Sequence, residues 1–135
     1  MVASSLAKKL GIKAGYKLLV LNAPEGYMAT LGELPEGTEV KSSGGGTFDF
    51  VQVFVYNKKE IDKHATEAAR SVKAGGLLWF CYPKKTSKIK TDVTRDQGWD
   101  SVFRAGLVGV AQVAVDETWT ATRFRRSSEV GVGWE

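Results

Sequence analysis

The chain has 135 residues but only one cysteine, Cys81, and one histidine, His64. A single cysteine excludes an internal disulfide and any multi-cysteine metal site, and a single histidine excludes a histidine-rich one. Long apolar runs are missing as well. The longest, Leu77–Tyr82, is far short of the ~20 residues that a membrane-spanning helix needs. No basic-then-apolar leader opens the sequence, so we expect no secretory signal and no membrane association. Nor is there an extreme of charge: 25% of residues are charged and the net charge is +4, while 43% are hydrophobic. That balance belongs to an ordinary globular chain and excludes wholesale disorder. A soluble, cytoplasmic protein is expected, with a single domain over residues 1–126 and a C-terminal tail over 127–135.

The positive charge that is present is local. Residues 1–20 carry Lys8, Lys9, Lys13 and Lys17 with no acid, and residues 82–91 carry Lys84, Lys85, Lys88 and Lys90 with no acid. Each segment is +4, so the remainder of the chain is −4. A uniformly basic nucleic-acid binder does not have this pattern.

Along the chain, Ser4 or Ser5 can cap a short helix in which Leu6 and Leu10 stand at i and i+4, with Gly11 as its left-handed stop. Tyr16–Leu21 reads as a strand apolar on both faces, the mark of a central, doubly covered strand. A short helix over Tyr27–Gly32 and a brief strand over Glu39–Lys41 follow, then a loop over residues 42–46. Phe48–Val55 is the next strand, with Phe48, Phe50 and Gln52 on one face and Val51, Val53 and Val55 on the other. From Asn57, the residues Ile61, Ala65, Ala68 and Val72 form one apolar stripe of a helix, which Ala74-Gly-Gly76 should end. Leu77–Tyr82 is a second continuously apolar strand, stopped by Pro83. Thr91 or Asp92 is placed to cap a helix running to Ala105. Residues 109–115 and 118–124 have hairpin spacing around Asp116-Glu117. In the tail, Val130, Val132 and Trp134 alternate. Strands alternating with helices predict an α/β fold with helices on both faces of the sheet. The strands holding Leu19, Val53 and Trp79 should be adjacent, parallel and central, since helix-length connections join parallel neighbours.

Several residues invite a chemical reading. Cys81 lies within an apolar run, where a thiol is a small core hydrophobe. His64 lies one position off the helix stripe, with no serine or cysteine partner in evidence. Asp92, Asp96 and Asp116 suit a cap, a first helical turn and a hairpin turn. Trp79, Trp99 and Trp119 are expected to fill core. Asn22-Ala-Pro-Glu-Gly26 follows a central strand, where open α/β sheets place their ligands. The lysine-rich loop over residues 82–91 and Asn57-Lys-Lys59 should leave the same edge, and lysines around a crevice attract phosphate or carboxylate. Aromatics for stacking single-stranded nucleic acid are absent there apart from Tyr82, which disfavours nucleic acid as a partner.

The order of Leu10-Gly-Ile-Lys-Ala-Gly15 into Leu18–Leu21, Phe48–Val51, Val72-Lys-Ala-Gly-Gly-Leu-Leu78 and a terminal hairpin resembles the Rossmann-like methyltransferases over about residues 10–125. That resemblance implies a mostly parallel, three-layer sheet with a C-terminal antiparallel hairpin. It also implies a methyl-donor site, with a Gly-x-Gly loop after the first strand and an acid after the second to hold ribose. The sequence departs at both: the loop is Asn22-Ala-Pro-Glu-Gly26, and Val40-Lys-Ser-Ser-Gly44 has no acid. Only 26 residues separate Leu21 from Phe48, too few for two full strand–helix units. A second resemblance is to a family of short bacterial proteins with a domain of unknown function. It rests on Leu6-Ala-Lys-Lys-Leu-Gly-Ile-Lys13, Asn22–Gly26, Trp79 through Pro83-Lys-Lys85, Thr91-Asp92 and Asp116-Glu-Thr-Trp119 into Arg123-Phe124, and it implies no activity.

The expectation is therefore a small non-enzymatic module that binds a small anionic or nucleotide-like ligand at the carboxyl edge of the sheet. Asn22, Glu25, Gly26, Lys58, Lys84 and Lys85 are its candidate ligand-binding residues, with no catalytic residue, metal or cofactor expected. Two alternatives stay open: a divergent SAM-dependent methyltransferase-like enzyme with a degenerate donor site, and a structural protein that meets a partner through its edge hairpin and tail. The oligomeric state is open.

Overall fold

The computed structural model describes residues 4–43 and 45–129. Helix α1 (Ser5–Leu10) starts where the Ser4 side chain accepts the Ala7 N–H, and it stops at Gly11 with φ +88°. A Cβ at Gly11 would also come within 2.9 Å of the Leu77 Cδ1 methyl, which can shift, so it is the backbone conformation that calls for glycine. Strand β1 (Lys17–Leu21), helix α2 (Tyr27–Leu31), strand β2 (Glu39–Lys41) and strand β3 (Phe48–Phe54) come next. Helix α3 (Lys58–Ser71) buries Ile61, Ala65 and Ala68 along one stripe. It leads into β4 (Val72–Pro83), a short α4 (Asp100–Arg104), and the hairpin of β5 (Leu107–Ala114) and β6 (Trp119–Arg126).

The six strands form one sheet in the order β2-β1-β3-β4-β6-β5. β1 pairs in parallel with both β2 and β3, and β3 pairs in parallel with β4. β6 runs antiparallel to both β4 and β5. Leu19, Val53 and Trp79 thus lie on three adjacent parallel strands, none at an edge, as their two-faced apolar runs predict. Each face has its own core. Leu19, Val53, Phe80 and Phe124 pack with Ile61, Ala65, Trp99 and Val102 on one side. Leu18, Phe50, Trp79 and Cys81 pack with Leu10, Tyr27, Leu31 and Trp119 on the other. The result is a three-layer α/β fold, mostly parallel, with an antiparallel C-terminal part.

Three expectations need correction. Phe48 packs with the Val51 and Val53 core rather than with Phe50, because the β3–β4 register shifts between Phe48 and Phe50. The helix before β4 ends at Ser71, and Ala74-Gly-Gly76 lies within β4 instead. Phe48 pairs with Val72 and Phe50 with Leu77, so the surplus residues of β4 bulge, and Gly75 at φ +76° accommodates the bend. The helix expected from Thr91 or Asp92 to Ala105 shrinks to Asp100–Arg104, and Asp96 falls outside it. Local side-chain bonds win there: Thr91 Oγ1 accepts the Val93 N–H, and Thr94 Oγ1 accepts those of Asp96 and Gln97. Such bonds offer the backbone an alternative to the helix ladder. Ser127–Glu129 forms a single 3-10 turn. The alternation of Val130, Val132 and Trp134 lies outside the described residues.

Candidate functional site

The chain turns from β1 to β2 on one side and then crosses to β3 on the other. The point between the carboxyl ends of β1 and β3 is therefore the topological switch, where such sheets open a ligand crevice. Here the protein's own side chains bridge it. Asn22 has φ +59°, a left-handed conformation that asparagine tolerates better than other side chains. Its Nδ2 donates to the Phe54 carbonyl at 2.8 Å and to Glu60 Oε1 at 3.3 Å. The same Glu60 oxygen accepts the Tyr56 N–H at 2.7 Å. The end of β1 is thereby tied to the end of β3 and the first turn of α3.

Helix α2 packs on the adjoining face of the sheet through Tyr27 and Leu31. Gly26 enters it at φ +81°, which buries Tyr27 against Phe54 with ring centroids 4.6 Å apart. The Tyr27 hydroxyl donates to Gln52 Oε1 at 2.9 Å, and Gln52 Nε2 donates to Cys81 Sγ at 3.2 Å. Burial pushes the Cys81 thiol up to about 12 and raises Tyr27 as well. Cys81 is a neutral core group, since the thiolate is the nucleophilic form. Glu25 and Gly26 are exposed just before this helix.

An open groove lies farther along, beyond the carboxyl end of β4. Pro83 is in register with Trp119, and the Lys84 N–H donates to the Thr118 carbonyl. Ser87 then turns the loop by bonding the Lys84 carbonyl through both N–H and hydroxyl. The depression that results has a volume of ≈ 300 Å³, and Lys84, Lys85, Arg95, Thr86, Thr94 and Thr120 line it. None of its lining residues is acidic. Its floor includes Tyr82 and Gln112, joined by a 2.7 Å bond from Gln112 Nε2 to the Tyr82 hydroxyl. Burial raises the Tyr82 pKa, so the phenol stays neutral. Arg95 and Gln112 also border a second depression of ≈ 360 Å³, walled by Trp99, Phe103, Val110 and Phe124 and by the polar side chains of Asp96 and Thr122. A cationic pocket and a largely aromatic trough with one carboxylate therefore share a boundary.

Of the residues proposed from sequence, Lys84 and Lys85 line the cationic pocket. Asn22, Glu25, Gly26 and Lys58 do not. Lys58 Nζ pairs with Asp62 at 3.1 Å, while its N–H donates to Asp92 Oδ1 at 2.8 Å. Asp92 thus supports the start of α3 rather than a helix of its own. The Ser101 hydroxyl and then Lys58 hold the Asp62 carboxyl below its ordinary value. Arg95, Thr94, Gln112 and Thr120 escaped the sequence reading. Arg95 fell within the expected helix. The hairpin register could have placed Thr120 opposite Tyr82, as the structure does. His64 lines neither depression, and its Nδ1 lies 3.7 Å from Glu67 Oε1. Trp79, Trp99 and Trp119 are buried, and Asp116 accepts the N–H groups of Thr118 and Trp119 in the hairpin turn. Among the described residues, no cluster of three His, Cys, Asp or Glu could hold a metal ion. No helix among them is long and apolar enough to cross a membrane.

No protein-family model matches the chain, so the resemblance to a family of short bacterial proteins gains no support, and no curated protein matches it either. Solved structures do. A SAM-dependent methyltransferase from Aquifex aeolicus is 17% identical, with a TM-score of 0.59 over 88% of this chain and 86% of the other. Aeropyrum pernix fibrillarin, solved with natively bound S-adenosyl-L-methionine, is 12% identical, with a TM-score of 0.57 over 89% and 73%. Fibrillarin from Methanococcus jannaschii, a pre-rRNA processing protein, is 13% identical, with a TM-score of 0.56 over 90% and 73%. The fold is that of the Rossmann-like methyltransferases.

The residues present do not fit the methyl donor in the manner that this fold implies. The Asn22 side chain spans the switch region from the end of β1 to Phe54 and Glu60. At the carboxyl end of β2 the chain continues Lys41-Ser42-Ser43, with no carboxylate, and Glu39 stands at the opposite end of that strand.

Proposed function

We propose that this protein uses a methyltransferase-type scaffold as a binding module for a small ligand that carries a phosphate or carboxylate on an apolar, ring-sized body. The cationic pocket between β4 and β6 takes the anion, and the adjoining trough takes the body. The observation that carries this reading is the contrast between two places along the carboxyl edge. The switch point is bridged by the Asn22 side chain, whereas Lys84, Lys85 and Arg95 border an open groove whose described lining holds no acid. Cations and hydroxyls around a depression bind anions through charge-assisted bonds, and a largely aromatic wall with few convergent polar groups suits an organic ligand.

A second reading, a divergent methyltransferase-like enzyme, is favoured by the structural neighbours, one of which holds S-adenosyl-L-methionine. Calorimetric titration of the full chain separates the two. On our reading, adenosine monophosphate gives a saturable heat, which a Lys84→Ala, Lys85→Ala double variant weakens about tenfold or more at low salt, with the melting temperature unchanged. S-adenosylmethionine gives no saturable heat. Micromolar binding of that donor, insensitive to the double variant, would favour the enzyme. A melting temperature that falls with no change in binding would mean that the lysine stems pack against the fold.

A further inference from the structure

Among the described residues, the two edges of the sheet differ in kind. β2 has three residues, two of them the charged Glu39 and Lys41. β5 has eight, Leu-Val-Gly-Val-Ala-Gln-Val-Ala, with no charge and no proline, and Ala111 and Gln112 are exposed. Shortness, charge, proline and β-bulges are the usual ways by which a sheet prevents its edge from pairing with another chain. β2 has the first two of these devices, whereas β5 is long, uncharged and free of proline. β5 does have one irregularity, a register shift against β6 between Gly109 and Ala111. Lys9 Nζ also donates to the Ala114 carbonyl at 2.8 Å, covering the last position.

The charges around the hairpin indicate which partner fits this edge. Asp116 and Glu117 form the turn beyond the end of β5. Arg104 closes α4 just before β5, at the opposite end, and Arg125 lies there in register with Val108, while the Arg126 guanidinium turns away to the Ala69 and Val72 carbonyls. Two copies related by a twofold axis pair their β5 strands antiparallel. The acidic turn of each copy then faces the basic end of the other, and the uncharged strands bring no like charges together. Parallel pairing would instead set acidic turn beside acidic turn. We infer that β5 is the interface of a homodimer in which one continuous sheet runs through both copies. Gly109, Val110, Ala111 and Gln112 of this strand also line the trough assigned to the ligand's body, so the association is measured without ligand.

Sedimentation equilibrium of the full chain, at low and high salt, tests it. The expected result is a dimer that salt weakens. Ala111→Lys, which places two ammonium groups near the twofold axis, should weaken it about tenfold or more. Glu117→Lys should weaken it at low salt and have little effect at high salt. Circular dichroism melting shows whether each variant keeps the fold. A chain that stays monomeric up to its solubility limit overturns the inference, as does a dimer indifferent to a folded Ala111→Lys variant. A monomer whose β5 amides resist hydrogen exchange would mean that residues of the same chain cover the edge, and that too overturns it.

Discussion

Gln52 is fully buried in the middle of β3, and both ends of its amide are engaged, by the Tyr27 hydroxyl and by Cys81 Sγ. This short polar chain fixes α2 against the sheet. Replacing one partner leaves the other buried and unpaired, which costs about 1–3 kcal/mol. Gln52→Leu should therefore lower unfolding stability by that amount, and adding Tyr27→Phe should recover part of it, because the orphaned hydroxyl is gone. Strictly additive losses in urea melts would mean that the two residues act separately. Asp49 illustrates a different kind of residue-scale effect. Its carboxyl accepts from Lys73 first and from the Lys17 N–H second, and both hold its pKa below the ordinary 3.8. A depressed carboxyl stabilises the fold fully above its unfolded pKa and loses that contribution as pH falls through the folded one. Asp49→Asn should thus flatten the loss of stability on acidification below about pH 4. An unchanged slope of melting temperature against pH would contradict this.

At the scale of elements, α3 carries the clearest local instructions. Asn57 Oδ1 accepts the Glu60 N–H at 3.0 Å, and Asp92 accepts that of Lys58. Two of the helix's open donors are thus satisfied, one from within the segment and one from a distant loop. Asn57→Ala should destabilise the protein by about 1 kcal/mol in chemical denaturation. An effect near zero would mean that Asp92 alone caps the helix. The same contrast explains what was legible in the sequence. Ser4 and Gly11 mark the ends of α1 by rules that act within one turn, and those ends are where the sequence places them. The Asp92 bond crosses from one element to another, so a local reading assigned that carboxylate to a helix that does not form. Thr91 and Thr94 decided the segment by bonding their own backbone neighbours. Trp99 joined them, since its indole N–H donates to the Thr94 carbonyl at 2.8 Å.

For the molecule as a whole, three strands apolar on both faces required a sheet covered on both sides, so Leu19, Val53 and Trp79 were readable as its centre. The groove was less so. Lys84 and Lys85 stand out as a run, but Arg95, Gln112 and Thr120 join them only because β4, β6 and β5 are neighbours. Nothing in the spacing of those residues along the chain reveals that meeting. The bridging of the switch region was equally hidden, since it depends on Asn22 reaching across to β3 and α3. The proposed ligand site of this Rossmann-like fold lies between β4 and β6 and not between β1 and β3. The most direct test is nitrogen–proton NMR of the full chain titrated with adenosine monophosphate. The account predicts saturable shifts at Lys84, Lys85, Thr86, Arg95, Gln112 and Thr120, with Asn22 to Gly26 unmoved. Shifts centred on Asn22 to Gly26 and the end of β1, with the lysine loop silent, would contradict it.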